Sequence, residues 1–343
     1  MRWLIGLGVV FLTFWCGWWF AGRYVILSQT EQLIADQRAS GAMLDLPGFG
    51  LTGFPSRFDL STESIAYSDP SGGLRYQGGA AYAYAMTWKP WHLVFWLPDS
   101  QVITLGDQVF QLDGSKLHAS LRAAPALDLP LALAAFSAET LRVTQASGLS
   151  LGFGPSSLRI EAADAPNSYH LGATLTAIRP DPAFLAALTA VELPQAPETT
   201  LPAQIDRFHF NSIVTLTAPL DRHAGSTNPQ VVSVGITDIS LTWGELELVT
   251  SGNIAPDSEG FAAGTVTLTV RGWEQLPRLL VAAGVIAPNM AGYLSGMLRG
   301  MAQQNADTQE VRMDLVLKDG LMNFGPLPLG PAPKLGALPT PQG

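Results

Sequence analysis

Trp3 to Gly22, WLIGLGVVFLTFWCGWWFAG, is an uncharged run of twenty residues bounded by Arg2 and Arg23. At ~1.5 Å per residue in a helix, such a run matches the ~30 Å hydrocarbon thickness of a bilayer. Trp15, Trp18 and Trp19 crowd one end of it, where amphipathic indole rings favour the headgroup layer. A cleaved signal peptide has a shorter apolar region and a small-residue cleavage site. Here bulky Trp19 stands two residues before Ala21, and Thr13-Phe14-Trp15 ahead of Cys16 does not fit a lipoprotein signal. Residues 1–23 are therefore read as an uncleaved signal anchor, single-pass in the inner membrane, with the body in the periplasm.

The chain as a whole is acidic, with a net charge of −9 over 343 residues. That charge lacks the basic footprint of a nucleic-acid binder and disfavours docking on anionic headgroups through a basic patch. Cys16 is the single cysteine and lies in the anchor, so no intrachain disulfide and no thiolate metal site can form. Low charge with many apolar, Gly and Pro residues suits a β-rich body with many turns.

Leu27, Leu33 and Ile34 continue helical spacing beyond the anchor, and Gly41 is a suitable stop. Residues 24–45 are read as a helical stalk. From Leu46 the period changes to two. In AAYAYAMTW, Ala80 to Trp88, the residues Tyr82, Tyr84, Met86 and Trp88 fall on one side and Ala81, Ala83 and Ala85 on the other, as strand geometry requires. Asp113-Gly114 and Asp319-Gly320 read as hairpin turns. Short alternating runs recur through residues 46–191 and again through 205–330, with a Pro-rich linker at 192–204 between them. Asp181-Pro182 opens a short helix, and 273–304 reads as a helical insertion broken near Pro288. The Pro/Gly-rich tail, 331–343, cannot form a central strand. The expected fold is mainly β: a large antiparallel sheet assembly, curved or groove-like, with a few helices behind an N-terminal transmembrane helix.

Motifs with chemistry fail in their context. Gly148-Leu149-Ser150-Leu151-Gly152 matches a nucleophile elbow, but an elbow needs a helix after the Ser, and Gly154-Pro155 blocks one. His92, His118, His170, His209 and His223 show no ligand spacing; His209 sits between Phe208 and Phe210 and is expected to face solvent. No catalytic residue, metal or cofactor is expected. Gly292, Gly296 and Gly300 lie four apart, read as allowing close approach of a helix to the sheet rather than a membrane contact.

The densest aromatic stretch outside the anchor holds Tyr82, Tyr84, Trp88, Trp91, Phe95 and Trp96. Its large face either fills a β core with hydroxyls at the edge or forms an apolar groove wall or interfacial belt. These six are the candidate ligand-binding residues. Gly53-Phe54-Pro55 is a structural motif, a chain bend before a strand.

Two signatures, GFGLTGFPSRFDL at 48–60 and KDGLMNFGPLPLGPAPKL at 318–335, resemble those of the uncharacterised proteobacterial family named domain of unknown function 2125, membrane-anchored envelope proteins with a β-rich body. A looser similarity reaches the AsmA-like envelope proteins. The resemblance implies an envelope protein, and the looser one a role in lipid handling or envelope maintenance, with the inner membrane, a lipid or another apolar ligand, and other envelope proteins as partners. The alternative is a structural or interaction protein of the envelope that holds no small ligand.

Overall fold

One unbroken helix, Arg2–Ala39, carries the apolar run and continues past it. The helix is long and apolar enough to cross a membrane. It ends where expected: Gly41 adopts φ +87°, and Ala42 N–H donates to the Gln37 carbonyl across the last turn. The predicted stalk is thus helical to residue 39, while Met43–Asp45 leaves it as a strand paired with Ile65–Ser68. A computed structural model describes residues 2–191, 201–304, 309–324 and 327–336. These form two compact units, one of Met1–Pro125 with Ala134–Ser150, the other of Ala126–Leu133 with Leu151–Gly343.

The first unit holds the helix and two antiparallel ladders. One runs through Met43–Asp45, Ile65–Ser68, Leu74–Gly78, Ser100–Leu105, Gln108–Ser115 and Thr140–Gln145. The other runs through Gly50–Thr52, Arg57–Thr62, Ala81–Met86, Lys89–Trp96 and His118–Ala123. The Asp113-Gly114 pair is not a turn. Both residues lie in Gln108–Ser115 and pair with Arg142 and Leu141. A β-carbon at Gly114 would fall 2.7 Å from Leu117 Cδ2 and from the Thr140 carbonyl oxygen, so this glycine serves a close approach rather than a turn. The chain bends just after, at Lys116, with φ +50°. Asp319-Gly320 does form its hairpin, with both residues at positive φ between Glu310–Lys318 and Leu321–Phe324.

At Gly53-Phe54-Pro55 the chain bends. Gly53 has φ +97°, the Phe54–Pro55 peptide is cis, and the strand Arg57–Thr62 follows. A β-carbon at Gly53 would stand 2.8 Å from the Arg57 carbonyl oxygen. Gly53→Ala therefore combines a strained φ with a backbone clash, and is expected to cost about 1–3 kcal/mol. Thermal melting of the purified full-length variant checks this.

In the second unit, strands pair in chain order from Ser156–Ala162 through Ser168–Ile178, Ile205–Leu216, Val231–Trp243, Leu246–Pro256, Ala262–Arg271 and Glu310–Lys318 to Leu321–Phe324 and Leu327–Pro331. Ser168–Ile178 pairs directly with Ile205–Leu216. The segment 192–204 thus connects neighbours in one sheet, and the division into compact units falls elsewhere. Residues 192–200 of that segment, and 337–343 of the tail, lie outside the described residues. Asp181 caps the helix Pro182–Ala190 by accepting from Ala183 N–H at 2.7 Å.

Helices Leu276–Ala282 and Ala291–Ala302, broken at Pro288–Met290, cover the core of this unit. Trp243, Leu246, Val270, Leu298 and Val311 are its most buried members. Val311, Met313, Leu315 and Leu317 alternate strictly with exposed residues, as a half-buried strand must. The last helix presents Ala291, Leu294, Leu298 and Ala302 inward. The three spaced glycines do not make the close approach expected of them: a β-carbon at Gly292, Gly296 or Gly300 would meet nothing within 4 Å. The apolar stripe runs at i, i+3, i+7 and i+11, and that stripe, not the glycine spacing, selects the buried face.

Candidate functional site

The register of the first unit decides which face of the aromatic strand is wet. Tyr82, Tyr84 and Met86 of Ala81–Met86 stand opposite Ser61, Asp59 and Arg57 on one side. On the other side Tyr82 and Tyr84 stand opposite Trp96 and Val94. Directly paired residues share a face, so these side chains form one surface, continued by His118 and Ser120 opposite Trp96 and Val94. Ala81 and Ala85 are buried on the reverse face, beside Phe58 and Leu60. Tyr82, Met86 and Trp96 are 45%, 42% and 43% exposed. Of the two readings of this strand, a large face filling the core is therefore set aside. The small face packs inward because Phe58 and the N-terminal helix occupy the space beneath it: Trp19, Leu51 and Phe58 form a buried cluster with Ile26, Leu27 and Leu60 against it.

On the outward face lies a cavity of about 470 Å³, walled by Arg57, Tyr84, Met86, His92, Val94 and Trp96. That volume lies in the range of small-ligand sites. Its aromatic members lock one another in place. Tyr84 meets Trp96 edge-on at 5.1 Å between centroids, and Trp96 meets His118 at 4.7 Å, geometry that suits ring quadrupoles. Arg57 and His92 are its polar lining residues. Arg57 Nη2 lies 2.9 Å from Asp59 Oδ2, half exposed, and His92 Nε2 shares a 3.1 Å hydrogen bond with Ser120 Oγ. The site thus offers an apolar wall, one guanidinium and one imidazole, with the His118 ring against Trp96. Such a wall accepts a hydrocarbon chain without stranding buried polar groups.

The six aromatic residues separate in the structure. Tyr84 and Trp96 line the cavity, and Tyr82 extends the same face. Trp88 sits in the turn after the strand, its ring 6.2 Å from that of Trp15 in the N-terminal helix. Trp91 and Phe95 do not line the cavity; Phe95 pairs with Ala83 on the reverse face. Arg57 and His92 in the lining, and His118 against Trp96, are not legible as site residues in the sequence. Their distance in sequence hides them, and the strand pairing that unites them has no local signal. Gly53, Phe54 and Pro55 bend the chain into the Arg57–Thr62 strand and so place Arg57.

Elsewhere the motifs remain bland. Ser150 begins the strand Ser150–Phe153 and no helix follows it. His209 is half-buried rather than solvated: its Nδ1 lies 3.1 Å from Thr174 Oγ1, and its Nε2 3.9 Å from Asp238 Oδ2. Among the described residues, no group of three or more His, Cys, Asp or Glu side chains is placed to hold a metal ion.

A family model described as "Uncharacterized protein conserved in bacteria (DUF2125)" matches residues 19–333. No curated protein and no solved structure matches the chain.

Proposed function

Because the chain belongs to the uncharacterised bacterial family DUF2125, we propose its function from the site itself: a single-pass envelope protein that holds a lipid or similar apolar ligand on the aromatic face of its first unit. The Arg2–Ala39 helix serves as the anchor in the inner membrane, and the body lies in the periplasm. The observation that carries the reading is the inverted burial of Ala81–Met86, whose alanines face in and whose tyrosines and methionine face out beside a cavity. Exposed aromatic area of this kind is costly to leave in water and marks a binding surface. Each methylene of a chain laid on the Tyr84–Trp96 wall gains up to ~0.8 kcal/mol. Arg57 lines the cavity, and its guanidinium suits a phosphate or carboxylate head. A role in envelope maintenance follows from a site that takes lipid beside the membrane.

The test is photo-crosslinking. Full-length protein is reconstituted in vesicles containing a phospholipid with a diazirine in its acyl chain, irradiated, and mapped by peptide mass spectrometry. Adducts are expected on the peptides holding Tyr84 and Trp96 as well as on the anchor. Adducts confined to the anchor contradict the reading and favour a structural envelope protein without a ligand.

A further inference from the structure

The anchor and the body are joined by more than the chain. Trp18 Nε1 donates to the Thr87 carbonyl at 3.2 Å, and Trp19 Nε1 donates to the Arg57 carbonyl at 2.7 Å. Trp19 stacks on Phe58 at 6.2 Å and meets Phe54 edge-on at 5.3 Å, while Phe20 lies 5.6 Å from Phe54. Trp15 lies 6.2 Å from Trp88. Two turns of the body, at Gly53–Ser56 and at Thr87–Trp88, are thereby held level with Trp15 to Phe20 of the helix. That stretch of the helix is about 8 Å long, at ~1.5 Å per residue.

If Trp3 to Gly22 occupies a ~30 Å hydrocarbon layer, Trp15 to Phe20 lies within roughly 10 Å of its outer boundary. The two turns then meet that boundary. Their backbone is prepared for it. Thr87 N–H and its hydroxyl both reach the Ser56 carbonyl at 3.1 Å, and Arg57 N–H donates to the Gly53 carbonyl at 2.9 Å. With the indole donors, the carbonyls of Gly53, Ser56, Arg57 and Thr87 are all satisfied within the protein, as a low-dielectric layer demands. The side chains left outward are apolar: Phe54 is 50% and Trp88 51% exposed. The nearby charges are cationic or neutralised. Lys89 is exposed beside Trp88, and Arg57 pairs with Asp59.

We infer that these two turns are a second membrane contact: Phe54 and Trp88 insert into the headgroup–acyl boundary of a phospholipid bilayer, and Lys89 meets lipid phosphates. This seats the Arg57–Met86 end of the cavity at the membrane surface. The inference rests on the anchor reading, and its test separates the two.

In a Cys16→Ser background, the single substitutions Leu12→Cys, Phe54→Cys, Lys89→Cys and Leu105→Cys are each labelled with a nitrobenzoxadiazole fluorophore in the full-length chain. The proteins are reconstituted into phosphatidylcholine vesicles with nitroxide-bearing lipids quenching at known depths. Leu105 pairs with Leu74, whose hairpin touches the far end of the helix, where Gly41 lies beside Pro70. Lys89 is included because Phe54 packs on Trp19 and its loss removes a packing contact, whereas Lys89 is a solvent-facing side chain. Labels at 12, 54 and 89 are expected to lose about half their emission to the quenchers, 54 and 89 most with the shallow one, and 105 to be unaffected. Quenching at 12 with 54 and 89 as unaffected as 105 overturns the inference and leaves the anchor standing. Absence of quenching at 12 overturns both.

Discussion

Trp243→Ala is expected to remove ~3–5 kcal/mol of stability and to unfold the second unit first. Trp243 is 1% exposed, and it belongs to the cluster formed with Leu246, Val270, Leu298 and Val311 beneath the two covering helices. Its Nε1 donates to the Pro202 carbonyl at 2.6 Å, so truncation leaves both a large cavity and an acceptor without its donor. A melting temperature lower by on the order of 10 °C is the expected readout. Trp243→Phe keeps most of the apolar volume and loses the hydrogen bond, and is expected to cost about 1–3 kcal/mol. Equal effects of the two variants would mean that the hydrogen bond, not the packing, dominates.

Trp19→Ala is expected to have an effect of similar size on the first unit, ~3–5 kcal/mol, while leaving membrane insertion unchanged. Trp19 is 5% exposed although it lies in the apolar run, because the body covers it. Its loss removes the stack on Phe58, the edge contact with Phe54 and the donor to the Arg57 carbonyl. Gly22 shows how close this packing is: a β-carbon there would fall 2.5 Å from the Phe58 ring. Limited proteolysis of the reconstituted variant should cut faster in the Gly48–Arg57 region, with the protein still in the carbonate-washed pellet. Unchanged proteolysis would show that the N-terminal helix does not hold the body as described.

Periodicity carried much of this architecture, and its failures share a cause. The helix end at Gly41, the cap at Asp181 and the alternation of Val311 to Leu317 are local features, and each forms as its residues require. The alternation of Ala81 to Met86 is equally plain, yet alternation alone cannot say which side is buried. That was decided by Phe58 and Trp19, residues distant in sequence that occupy the alanine side. The two Asp-Gly pairs make the same point. Asp319-Gly320 turns because both residues reach positive φ, whereas Gly114 is kept small by Leu117 and Thr140, contacts that no local pattern reveals. The Pro-rich segment at 192–204 reads as a boundary by composition, but pairing of Ser168–Ile178 with Ile205–Leu216 makes it a connection inside one sheet. The grouping of Arg57, His92 and His118 is illegible in the sequence for the reason the core side is: register brings them to Tyr84 and Trp96, and register is a long-range property.

The claim that the aromatic face is an open ligand surface meets its most direct test in Trp96→Ala, with thermal melting and copurified lipid measured on the same detergent-extracted preparation. Trp96 is nearly half exposed and walls the cavity with Tyr84, so its truncation removes ligand contact while opening no void in the interior. The account predicts a loss of less than about 1.5 kcal/mol in stability, far below the ~3–5 kcal/mol of a core tryptophan, with clearly less lipid per folded molecule by mass spectrometry. Severe destabilisation with lipid per folded molecule unchanged would make Trp96 a core residue and contradict the account.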